Sequence, residues 1–70
     1  MYRFLIVIEK AEGNYSAYSP DLPGCVTTGA TREGAERNMY QAIEMYIKGL
    51  HEDGLPVPES TSFGEYVSIQ

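Results

Sequence analysis

The sequence predicts one α+β domain of order β-β-β-α-β, a two-layer sandwich with one helix on a four-stranded mixed sheet. Three observations carry this. The chain opens on a run of β-branched and aromatic residues, Tyr2 to Lys10. Apolar residues then recur at three- and four-residue spacings from Ala35 to Leu50. Gly and Pro punctuate the chain around Gly13, between Pro20 and Gly24, at Gly29, and from Gly54 to Pro58. Seventy residues leave no room for a second core, so residues 1–70 are expected to form a single domain.

The first strand is read over Tyr2 to Lys10. Alternation puts Tyr2, Phe4, Ile6 and Ile8 on one face and Arg3, Leu5, Val7 and Glu9 on the other. Both faces are apolar in the middle, as suits a central strand. Ala11 to Asn14 make a hairpin turn, and Tyr15 to Ser19 return as the second strand. Pro20, Asp21, Leu22, Pro23 and Gly24 form a rigid corner, because two prolines fix φ and remove amide donors. Cys25 to Thr28 are the third strand.

Thr31 has the chemistry of a helix N-cap, and Glu33 sits in the first turn, where the helix dipole favours negative charge. Ala35, Met39, Ala42, Ile43, Tyr46, Ile47 and Leu50 form one apolar stripe. The helix is expected to end between His51 and Asp53, with Gly54 at a left-handed stop. Phe63 to Ile69 read as a fourth strand, which a right-handed crossover would deliver beside the first, in order 3-2-1-4. Placement beside the third strand fits the pattern equally.

One helix roofs one face of such a sheet. Leu5 and Val7, or else Phe4, Ile6 and Ile8, are then left on the other face, and Leu5 and Val7 are the expected oligomer face. A core this small seldom supplies more than about 3–5 kcal/mol without a staple. The one cysteine, Cys25, excludes an internal disulfide. A homo-oligomer, dimer or tetramer, is the expected remedy.

Acids outnumber bases 10 to 5, a net charge of -5, which disfavours unaided binding to a phosphate backbone and suits a basic partner. No apolar run approaches a membrane span, and no signal peptide is read at the N-terminus, so a cytoplasmic protein without membrane contact is expected. Glu9, Glu12, Asp21, Glu33 and Glu36 are expected to cluster near the hairpin and helix start, either as a counterpart to that partner or as ordinary solvated surface. Leu22 reads as an exposed apolar anchor in the corner, beside Asp21. The corner is either a preorganised contact loop or simply a turn.

Catalysis finds little support. A metal-dependent nuclease needs convergent carboxylates, and Glu9, Glu44 and Glu65 have no reason to meet. His51 lacks an orienting partner, and Cys25 reads as small buried packing rather than a nucleophile. No catalytic residue, cofactor or metal ligand is assigned.

The stretch from Tyr15 to Glu59 resembles the HicB antitoxin family, also described as UPF0150-type small proteins. The resemblance is carried by Tyr15 to Cys25 with its core Pro20, Asp21, Leu22, Pro23, Gly24 and Cys25, and by Gly29, Ala30 and Thr31. Ala35, Ala42 and Ile43 of the helix and the Gly54 to Pro58 exit complete it. It implies a truncated ribonuclease-H-like fold. It also implies an antitoxin of a type II toxin-antitoxin pair, which masks a basic, mRNA-cleaving HicA-like toxin and has no enzymatic activity. Arg32 and Gly34 depart from the family's usual apolar and acidic residues, so a weaker first helical turn is expected. The C-terminal DNA-binding module common in the family has no counterpart among these residues, so direct nucleic-acid binding is not expected. The alternative is an orphan oligomeric binding module with a different partner.

Overall fold

The computed structural model describes residues 1–70. Its regular elements are β1 (Val7–Ala11), β2 (Asn14–Tyr18), β3 (Val26–Gly29) and α1 (Arg32–Glu52). The strands form an antiparallel sheet in the order β1-β2-β3. The α+β class and the first four elements follow the sequence reading, whereas the fourth strand does not form. Residues 53–70 contain no strand, and the sheet has three strands rather than four.

The first strand is also shorter at its start than expected. Val7 pairs with Tyr18, so an extension of the same register would set Ile6 against Ser19 and Leu5 against Pro20. Pro20 has no amide to donate and turns the chain away, so β2 ends at Tyr18 and residues 2–6 have no ladder to join. The β1–β2 loop is Glu12 and Gly13, with Gly13 at φ 81.

The helix starts as its sequence implies. Thr31 is extended, and its Oγ1 accepts the Gly34 amide at 2.9 Å. Gly34, the departure that suggested a weak first turn, is thus the residue the cap holds. At the other end Gly54 has φ 68, its amide donates to His51 O, and the Leu55 amide donates to Leu50 O. These two bonds satisfy carbonyls the last turn would leave orphaned.

The core is a cluster of Ala17, Leu22, Cys25, Ala35 and Met39. Phe4, Ile6, Ile8, Tyr15, Ala42, Ile43 and Tyr46 pack around it, so the face bearing Phe4, Ile6 and Ile8 turns toward the helix. Leu5 and Val7 lie on the other face. Leu22 is therefore not the exposed anchor the sequence suggested: it has no exposed surface. The corner folds inward because its amides bond within it, Leu22 N to Ser19 O at 3.2 Å and Cys25 N to Leu22 O at 3.0 Å. Gly24 at φ 78 completes the turn.

The helix lies mainly over β3, less over β2, and least over β1. Close approach at β3 depends on Gly29, where a Cβ would stand 2.3 Å from Ala35 N. Asn38 Nδ2 donates to Thr28 O at 2.8 Å and fixes the helix along the same strand. Gly29→Ala should therefore destabilise the fold by about 1–3 kcal/mol through overpacking. Leu22→Ala should cost about 2–5 kcal/mol through the cavity it leaves. Urea unfolding followed by circular dichroism measures both, and an unchanged midpoint for either would contradict this packing.

Candidate interaction surface

Register places the predicted acids. The β1–β2 hairpin closes at Ala11 and Asn14, Tyr15 pairs with Gly29, and Gly29 lies against the first turn of α1. Glu9 and Glu12 at the hairpin and Glu33 and Glu36 at the helix start thus share one end of the molecule, and all four are exposed. Asp21 does not join them. It lies in the corner joining the far ends of β2 and β3, at the opposite end of the sheet.

Asp21 has a different task. One carboxylate oxygen accepts from Ser62 Oγ at 3.0 Å and Thr61 Oγ1 at 3.2 Å, and the other accepts the Ser62 amide at 3.3 Å. These bonds fasten the chain after the helix to the corner, some forty residues earlier. Desolvation pushes the carboxyl up, but the donors from Ser62 and Thr61 outweigh it and hold Asp21 below the usual aspartate range. Asp21 thus serves a long-range clasp rather than a local turn bond. Just beyond it, Gly64 lies against Leu5, whose Cδ1 would be 3.3 Å from a Cβ there.

Two apolar surfaces remain open. On the face away from the helix, Val7, Tyr18 and Val26 stand in register across the three strands. Val7 is half-buried, while Tyr18 and Val26 are exposed. Leu5, on the same side of the chain, is half-buried beside Gly64. The second surface was missed. A groove of about 740 Å³ runs between the N-terminal segment and the flank of α1, floored by Phe4, Ile6, Tyr40, Ile43 and Ile47. Glu33, Glu36 and Glu44, with Arg3 and Arg37, form its charged rim. Its sequence signal is a second helical row, Tyr40, Ile43 and Ile47, beside the core row of Ala35, Met39, Ala42 and Tyr46. Together the rows are wider than the three strands under the helix require.

No group of three or more His, Cys, Asp or Glu side chains is placed to hold a metal ion. His51 faces the Tyr2 ring at a centroid distance of 6.4 Å. Cys25 is buried, and desolvation pushes its thiol up, away from the nucleophilic thiolate. No helix is long and apolar enough to cross a membrane.

The clasp carries a pH dependence. Because the folded-state pKa of Asp21 is lowered, the clasp's contribution is present above the ordinary aspartate value of about 3.9 and is lost as pH falls through the folded value. Hydrogen exchange at the Ser62 amide should therefore stay slow near neutrality. It should accelerate on acidification, after correction for the intrinsic rate, and be fast at all pH values in Asp21→Ala. Equal protection in both proteins would refute the clasp.

Comparison with known proteins places these surfaces in a family context. Residues 4–70 match the family model described as the HicB-like antitoxin of a bacterial toxin-antitoxin system. A UPF0150 protein of Synechocystis is 37% identical over 70 residues, covering 99% of this chain and 89% of the relative. A UPF0150 protein of Helicobacter pylori is 49% identical over 49 residues, covering 70% and 68%. An uncharacterised 14.9 kDa protein of Haemophilus phage HP1 is 36% identical over 63 residues, but the match spans only 47% of its length. No solved structure gives a significant match.

Proposed function

Because the chain belongs to the HicB-like antitoxin family, we propose that it binds and masks a basic, mRNA-cleaving toxin of the HicA-like type, without chemistry of its own. The family match over residues 4–70 carries this reading. The acidic end built from Glu9, Glu12, Glu33 and Glu36 supports it, because a ribonuclease must present cationic groups to RNA phosphates. Four carboxylates offered to the same groups compete with the RNA and hasten encounter. Asp21 and Leu22 are not part of this surface, since one is engaged with Thr61 and Ser62 and the other is buried.

In this reading the protein acts in the cytoplasm, where its target is translated, and it works as a homo-oligomer. The row of Val7, Tyr18 and Val26 supports association, because the one helix covers a single face of the sheet and leaves these side chains without a layer over them.

Co-expression with the small basic protein of the adjacent reading frame tests the pairing. Growth should be rescued and the two chains should co-purify. Failure with that product would remove the toxin-masking reading and leave an orphan binding module. Replacing Glu33 and Glu36 by Lys should slow association about tenfold or more at low salt, with a smaller effect at high salt. Stopped-flow association measures this, and a rate independent of both charge and salt would dismiss the acidic end as the docking surface.

A further inference from the structure

Two segments that the sequence marks as strands are left without backbone partners. Residues 2–6 precede the β1–β2 ladder, and residues 63–69 follow the Asp21 clasp. The chain makes 33 backbone–backbone hydrogen bonds, where a folded protein of this length makes roughly 50. Phe63, Val67 and Ile69, which alternation puts on one side of an extended strand, are 88%, 78% and 88% exposed. Residues 63–69 thus form an arm without backbone hydrogen bonds and with its large apolar side chains exposed.

The groove beside residues 2–6 has the position of the missing strand. It runs along the outer edge of the β1 line and under the flank of α1, where the 3-2-1-4 order would put strand four. Its floor of Phe4, Ile6, Ile43 and Ile47 is apolar, as are three of the four residues on one side of the arm, Phe63, Val67 and Ile69, with Glu65 the fourth. The arm does not reach its own groove. Its root is pinned at Thr61 and Ser62 to the corner, and Gly64 then passes Leu5, on the side of the chain away from the helix.

We infer that two copies of this chain exchange their C-terminal arms, residues 63–69 of each adding a fourth strand along residues 2–6 of the other and filling its groove. The exchange is reciprocal and closes as a two-fold dimer. The hinge follows Ser62: the chain up to that residue is held by the bonds to Asp21, and from Phe63 on it makes no backbone hydrogen bond. Exposed area agrees in magnitude. The chain exposes 5736 Å², against about 4,400 Å² for a folded monomer of this mass. The surplus of about 1,300 Å² exceeds the roughly 800 Å² per partner of a standard interface. The radius of gyration of 13.5 Å likewise exceeds the roughly 11 Å of a compact chain of this length. This inference specifies how the proposed oligomer forms and needs no toxin, so its failure leaves toxin masking untouched.

Sedimentation of the full chain should give twice the 7.8 kDa chain mass. The double variant Val67→Asp, Ile69→Asp should sediment at the single-chain mass with its helical circular dichroism retained. A second measurement does not depend on an acidic arm. Chains carrying Ile43→Cys or Ile47→Cys are mixed with chains carrying Val67→Cys, refolded together and oxidised. A crosslinked pair of one groove chain and one arm chain supports the exchange. Three results overturn it: a single-chain mass for the unaltered protein, a crosslink confined within one chain when both cysteines are placed together, or a dimer that survives the arm variant and is broken by Val7→Asp. The last would place association on the open face of the sheet instead.

Discussion

The prolines at positions 20 and 23 set the dimensions of everything around them. With no amide at Pro20, the second strand cannot continue past Tyr18, and the ladder with the first strand stops at Val7. The same corner drives Leu22 beneath the helix, beside Cys25 and Met39, so one five-residue turn both ends the sheet and supplies the centre of the core. It also presents Asp21 outward to capture the chain returning from the helix. A loop without these prolines could let the hairpin lengthen, but it would surrender the core residue and the clasp together.

The hairpin and the first helical turn carry four exposed carboxylates, Glu9, Glu12, Glu33 and Glu36, while the opposite end carries the corner, the clasp and the root of the arm. In the proposed function and arm exchange, a basic partner would meet the acidic end and a second copy the groove, and few side chains would serve both. Glu33 and Glu36 are the exception. They stand at the acidic end and also on the rim of the groove, so occupancy of one surface is felt electrostatically at the other.

Much of this was legible in the residues. Thr31, Gly54 and the helical spacing gave the long helix to within a residue at each end, because caps and left-handed glycines act locally. The alternation of the first strand correctly separated Ile8, which turns toward the helix, from Val7, which stands on the opposite face. The failures share a cause. Phe63 to Ile69 have the composition of a strand, yet a strand exists only where a neighbour supplies its hydrogen bonds, and composition says nothing of which chain that neighbour belongs to. Leu22 between two prolines looked exposed because turns usually are, and only the bonds inside the corner show that it folds inward. The groove went unseen for a related reason: Ile43 and Ile47 read as more of the same stripe, and the lateral offset of the helix toward the third strand is a tertiary fact.

Cys25 sits where the corner enters the third strand, sealed by Leu22 and the helix, with its thiol kept protonated by its surroundings. A maleimide or disulfide reagent can reach that sulfur only when the proline turn lifts away from the helix. Its labelling rate is thus an intrinsic clock for opening of the core, readable with no probe added to the chain. Because the arm is anchored to the same turn through Asp21, anything that steadies the arm also slows that clock.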